Sequence, residues 1–199
     1  ARYFQPVVNG SSLGNVCLAS RKDVRNAVVA ARSAQAGWSR RTAYNRAQIL
    51  YRIAEMLEGR SQQFSEELVR QGLDVETAEI HVSQSIDRLI YYAGWCDKYQ
   101  QVFSAVNPVA SSHFNFSTLE PVGVVFTVAS RDCALLGLVS LIAPVMASGN
   151  RCVVLASEKF PLSAVTFAEV LATSDVPGGV VNILTGRIKE LTEHFSRHL

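Results

Sequence analysis

Val122-Gly-Val-Val-Phe-Thr-Val-Ala129 is an unbroken apolar run rich in β-branched residues, set off from the preceding Glu120-Pro121 by a sharp change of composition. A half-exposed strand alternates apolar with polar residues, whereas a parallel strand buried on both faces reads as a continuous run like this one. The chain after it repeats the unit. The pattern predicts a helix over 134–147, a strand over 152–156, a helix over 162–173, a strand over 180–184 and a helix over 187–198. Right-handed β-α-β crossovers in that order build half of a doubly wound sheet with helices on both faces. The fold class is therefore α/β: a helical N-terminal segment followed by part of a Rossmann-like doubly wound parallel sheet.

Upstream, the period is helical. Ser20-Arg-Lys-Asp23 has the form of a capping box, and Val24, Ala27, Val28, Ala31 and Ala34 make a narrow face suited to packing on another helix, with Gly37 as its stop. A second helix is expected from about Thr42 to Glu58, with Leu50, Ile53, Ala54 and Leu57 inward, Arg46, Arg52 and Glu55 outward, and Gly59 as C-cap. A third spans about Ser61 to Gln71 with Phe64 and Leu68 inward. A long fourth runs from about Asp74 to Gln101, where Val75, Val82, Ile86, Leu89 and Ala93 form a stripe of sevens and fours. Such a stripe can pair as a coiled coil, but one this brief more often packs on its own sheet. From His113 the period shortens to two, and Phe114, Phe116 and Thr118 suit an edge or arm strand. The division is one partial domain over 1–199: a helical segment 1–105, an arm strand 106–121 and half a sheet 122–199.

Composition bounds the partners. Nineteen basic against seventeen acidic residues leave a formal charge of +2, which excludes a polycationic nucleic-acid arm. The most apolar stretch, 133–147, is too short to span about 30 Å of hydrocarbon, so no membrane anchor is expected. Cys17, Cys96, Cys133 and Cys152 lack the spacing of a disulfide framework or zinc site, and reduced thiols in a cytoplasmic protein are the reading.

Ligands of open α/β sheets sit outside the carboxyl ends of the strands. Three loops lie there: Ser130-Arg-Asp-Cys133, Ser157-Glu-Lys159 and Gly186-Arg187. None has a phosphate-binding glycine pattern, and Gly178-Gly179 precedes a strand, so it reads as a turn. Cys133 beside Asp132 at a strand-to-helix junction is the nearest candidate for an activated thiol; a buried neutral cysteine is preferred. Arg131 could clamp an anion, but pairing with Asp132 is preferred. His81, His113, His194 and His198 share no cluster and read as solvated. No metal site is expected.

Six segments in order carry a resemblance. They are Ala34-Gln-Ala-Gly-Trp38, Arg46-x-x-Ile-Leu50-x-x-Ile-Ala54-x-x-Leu57, Tyr91-Tyr-Ala-Gly-Trp95, Glu120-Pro-Val-Gly-Val-Val125, Ile142-Ala-Pro-Val-Met-Ala-Ser-Gly-Asn150 and Pro177-Gly-Gly-Val-Val-Asn-Ile-Leu-Thr-Gly186. Together they resemble the N-terminal part of an aldehyde dehydrogenase superfamily domain, most closely the second domain of the tandem, family-16 type.

The resemblance implies NAD(P)-dependent oxidation of an aldehyde to an acid. In the family a cysteine thiolate adds to the carbonyl, an asparagine amide and a backbone N–H hold the oxyanion, and a glutamate activates the deacylating water. The family's asparagine position is Asp132 here. A carboxylate offers only acceptors where the reaction needs a donor, and loss of one such donor typically costs about 10²–10³ in rate. The family's ribose-binding lysine position is Leu155, while the glutamate survives as Glu158. After Gly186 the family's glycine- and proline-containing turn is replaced by Arg187-Ile-Lys-Glu. Ser130, Leu155, Glu158 and Gly186 thus mark an eroded NAD site, with no catalytic residue matched and the catalytic half expected to be absent from this chain. The favoured reading is a pseudoenzyme with a binding or assembly role. The alternative is part of a working dehydrogenase. Family members assemble through an arm, and Phe114-Asn-Phe-Ser117 stands in its place, so self-association is expected there.

Overall fold

The computed structural model describes residues 2–130, 132 and 134–197. Before any helix the chain folds back twice. β1 (Tyr3–Phe4) pairs antiparallel with β4 (Val16–Cys17), and between them β2 (Val7–Val8) pairs antiparallel with β3 (Ser11–Ser12). Asn9 and Gly10 join the inner pair with φ of 50° and 81°. Two positive φ values in a two-residue loop match the twist of a hairpin, and Asn-Gly is the pair that tolerates them. The segment expected to be helical throughout therefore begins as β-ribbon.

α1 (Arg21–Ser33) starts at the expected capping box, where the Ser20 N–H donates to Asp23 Oδ2 at 2.8 Å. It stops at Ser33, short of Gly37, which falls inside α2 (Gln35–Ser39). The small face of α1 lies chiefly on the sheet and not on another helix, a correction with a visible cause. A Cβ on Gly179 would stand 2.4 Å from the Ala30 carbonyl oxygen, so this glycine lets the helix settle onto the sheet.

α3 (Ala43–Glu58) and α4 (Ser61–Arg70) bury the expected residues, with Leu50, Ile53, Leu57, Phe64 and Leu68 all fully inaccessible. Arg46 departs from expectation: it is buried, its Nε donating to the Ala147 carbonyl at 3.0 Å and its Nη1 to that of Arg41. Those carbonyls let a guanidinium leave water. α5 (Val75–Trp95) is capped by Asp74, which accepts the Thr77 N–H at 2.8 Å. The expected single run to Gln101 breaks after Trp95, and α6 (Lys98–Phe103) follows. α5 packs among α3, α4 and α7 (Leu135–Ala147), not on the sheet.

β5 (Ala105–Asn107) pairs antiparallel with β6 (Asn115–Ser117). Phe114 and Phe116 stay 73% and 58% exposed, their ring centroids 5.4 Å apart. They do not fold back onto the helices.

The parallel sheet is β7 (Val124–Val128), β8 (Arg151–Leu155) and β9 (Val181–Leu184), in the order β7-β8-β9. α8 (Pro161–Ala172) and α9 (Ile188–Ser196) complete the alternation. Side chains of β8 alternate between two cores. Cys152 and Val154 join the core of α3, α5, α7 and α8, while Val153 and Leu155 join that of α1 and α9. β8 is buried throughout. β7, expected to be buried on both faces, is only half-buried, because among the described residues it has a neighbour on one side alone.

Candidate functional site

The register aligns Val128 with Leu155 and Leu155 with Leu184, so all three strand ends open at one level. The loops expected to bear a site meet there.

From β7 come Ser130 and Asp132, both exposed; the Asp132 N–H reaches Ser130 Oγ at 3.4 Å. Arg131 and Cys133 lie outside the described residues. The Asp132 side chain, at the position where the resemblance puts the oxyanion asparagine, is exposed, and a carboxylate there would offer acceptors only.

From β8 come Leu155 and Glu158. Leu155 is fully buried in the core that holds Val28, Leu191 and Phe195. Glu158 Oε1 accepts the backbone N–H of Ile188 at 2.7 Å. Ile188 opens α9, so the carboxylate satisfies one of the orphan donors of that helix and sits at the positive end of its dipole.

From β9 come Thr185 and Gly186. The N-terminal ribbon pins this corner, with the Ala19 N–H on the Thr185 carbonyl at 2.9 Å and Thr185 Oγ1 on the Cys17 carbonyl at 2.7 Å. A Cβ on Gly186 would lie 3.0 Å from Leu191 Cδ1, so α9 packs directly against the turn it leaves. Phe195 stacks on Phe126 of β7, centroids 3.4 Å apart, and closes the same face further along.

The resemblance puts a ribose-binding lysine and glutamate at the end of the second strand; of those two positions Leu155 is buried in a core and Glu158 holds a backbone amide. No signal in the sequence announced the Glu158–Ile188 bond, since thirty residues separate the partners.

The remaining candidates do not converge. Cys96 and Cys152 are buried, and burial pushes their thiols up to about 11 and about 12, which keeps both protonated. Nucleophilic cysteines need the opposite shift. Cys17 is exposed. His81, expected to be solvated, is partly buried, with Nδ1 unpartnered among the described residues and its protonation disfavoured by burial. His113 is exposed beside Ser111, and His194 lies on α9. His198 is outside the described residues. Among the described residues no group of three or more His, Cys, Asp or Glu could hold a metal, and no helix is long and apolar enough to cross a membrane. Arg151, which no sequence pattern singles out, heads the apolar strand β8 and is fully buried, its three guanidinium nitrogens without a hydrogen-bond partner among the described residues.

The whole chain, residues 1–199, matches the model of the aldehyde dehydrogenase family. It is 34% identical over 199 residues to the cytosolic 10-formyltetrahydrofolate dehydrogenase of Mus musculus, covering 96% of this chain and 22% of that protein. Among solved structures it is similar to PnpE in complex with nicotinamide adenine dinucleotide, with a TM-score of 0.94 and 27% identity over 100% of this chain and 41% of that one. It is also similar to the NAD+ complex of aldehyde dehydrogenase from Bacillus cereus, with a TM-score of 0.90 and 27% identity over 97% and 40%. The chain thus spans under half the length of these relatives. With the order of its six sequence segments, its three-stranded parallel sheet and this match in agreement, the chain belongs to the aldehyde dehydrogenase family.

Proposed function

We propose that this dehydrogenase-like domain has given up the chemistry of its family and serves binding or assembly. The observation that carries this reading is the hydrogen bond from the Ile188 N–H to Glu158 at 2.7 Å, which commits the one surviving ribose-binding carboxylate to the fold. Burial of Leu155 at the lysine position supports it. So does Asp132, which brings negative charge where a donor is needed. The arm of β5 and β6, with Phe114 and Phe116 in water, is the surface we assign to self-association. A cytosolic setting is part of the proposal, as is the kinship with the tandem type; no nucleic acid or membrane enters it.

The test is titration of the purified chain with NAD, read by calorimetry and melting temperature. A Kd of about 0.1 mM would give about 1.4 kcal/mol at 1 mM NAD, a rise of roughly 3–6 °C for a domain of this size. We expect no rise. Saturable binding tighter than that would overturn the reading. The second reading, part of a working NAD(P)-dependent aldehyde dehydrogenase whose catalytic half lies elsewhere, is favoured by the close backbone match to PnpE in its dinucleotide complex. Binding of NAD followed by NADH formation from an aldehyde, once a catalytic half is supplied, would establish it.

A further inference from the structure

α4 and α5 leave between them a groove of about 860 Å³ that takes no part in the strand-end loops. Its apolar strip is made by Val69 of α4 with Val75, Val82 and Ile86 of α5. Val82 belongs to the core, but Val69 is 37% and Val75 60% exposed. The steps of seven and four between 75, 82 and 86 are those by which one helix seats another. α5 spends Leu89 and Ala93 wholly on the core of the domain, while Val82 and Ile86 border both the core and the groove and Val75 stands in water.

The rim is acidic. Among the described residues that line it are four carboxylates, Glu58, Glu66, Glu79 and Asp87, against one cation, Arg70, in a chain whose formal charge is +2. Glu66 accepts from the Gln62 amide at 2.9 Å, and among the described residues none of the four carboxylates is in an ion pair.

We propose that this groove docks a basic amphipathic helix of a protein partner. Apolar side chains spaced by three and four would lie on Val69, Val75 and Ile86, and flanking Lys or Arg would meet the rim. Charge decides the occupant. An acidic helix or a nucleic acid would be repelled by the rim, and a wholly apolar segment would cover carboxylates with nothing to pair them, at a desolvation cost. The proposal stands whether or not the domain binds NAD, since it uses none of the residues of that site.

The probe is a fluorescently labelled synthetic helix of about five turns, roughly 18 residues, with Leu at heptad positions a and d and Lys elsewhere. Its control is a scrambled peptide of the same composition. Anisotropy should show saturable binding to the intact chain, and at least ~10-fold weaker binding of the scrambled peptide. The triple variant Glu58→Gln/Glu79→Gln/Asp87→Asn should weaken binding at least ~10-fold and flatten its salt dependence, and Val75→Ser should weaken it at unchanged salt dependence. All four positions are exposed, and circular dichroism checks that each variant is folded. Absence of binding, equal binding of both peptides, or equal binding by wild type and variants would each overturn the proposal.

Discussion

Glu158 and Ile188, the residues that follow two different strands of the sheet, are joined through a carboxylate oxygen and a backbone N–H 2.7 Å apart. The bond fastens the start of α9 to the loop after β8, and under the proposed reading it occupies the oxygen that a cofactor's ribose would need. Glu158→Ala should therefore act first on stability. Loss of a helix-terminal acceptor of this kind costs about 1–2 kcal/mol, read as a lower midpoint in urea. Glu158→Gln, which keeps a carbonyl acceptor, should recover part of that loss. A Glu158→Ala protein as stable as wild type would mean that the carboxylate is idle and available to a ligand.

Leu155 tests the neighbouring position. Leu155→Lys, which puts in the residue that the resemblance implies for this position, places an ammonium in a fully buried core beside Leu191 and Phe195. An uncompensated charge there costs several kcal/mol, so the variant should melt well below wild type and still show no saturation by NAD. Full stability together with NAD binding would show that α9 yields readily and that the cleft opens when asked.

Arg151 offers a test of what an unpaired buried charge costs this fold. Its three guanidinium nitrogens are buried with no hydrogen-bond partner among the described residues, and a Cβ added to Gly123 would lie 3.6 Å from Nη2. Replacement by an apolar side chain of similar length removes the desolvated charge. Arg151→Met should stabilise by about 1–4 kcal/mol, measured as a higher urea midpoint. A lower midpoint would mean that the guanidinium has a counter-charge in solution.

These residues also mark where the sequence stopped being informative. Short-range patterns carried through: the Ser20–Asp23 box, the inward faces of α3 and α4, and the β-α alternation after residue 122 appear where spacing put them. Asn9-Gly10 was equally legible, but a two-residue strand on either side is too brief to register as a period. Arg46 and Arg151 could not be placed from pattern, since what buries a guanidinium is a carbonyl or a close packing from residues far along the chain. The half-burial of β7 depends on which strands lie beside it, and sheet order is not a local property. At the strand ends, the resemblance singled out Asp132, Leu155 and Glu158 as positions, while the bond that Glu158 makes to Ile188 needed coordinates.

Acid stability should follow two helix caps. Asp23 titrates below its ordinary value chiefly through the Ser20 hydroxyl, and Asp74 does so chiefly through the Thr77 N–H. A carboxyl depressed in the folded state contributes stability that is complete above its unfolded value, here 3.8, and is lost as pH falls through the lower folded value. His81, whose protonation burial disfavours, adds an earlier loss that begins as pH falls through 6.5. The double variant Asp23→Asn/Asp74→Asn should thus melt lower than wild type at neutral pH, with the gap closing below about pH 4. A gap that stays constant down to pH 2 would show that the caps act without their charge.

The arm gives the last test. Val106 stands opposite Phe116 in the β5–β6 ladder, and Asn107 Nδ2 donates to Asn115 Oδ1 and Ser117 Oγ, so the hairpin is internally tied while its aromatic face is left to water. Two neighbouring phenylalanines on a two-stranded ribbon present both apolar surface and unpaired strand edges, the combination that pairs with another chain. Light scattering across a concentration series should show the intact chain growing in mass. Phe114→Ser/Phe116→Ser should hold it at the monomer mass without lowering its melting temperature, because neither ring belongs to a buried core. A wild-type chain that remains monomeric at high concentration would remove the arm from assembly, and a double variant that melts much earlier would return those rings to the fold itself.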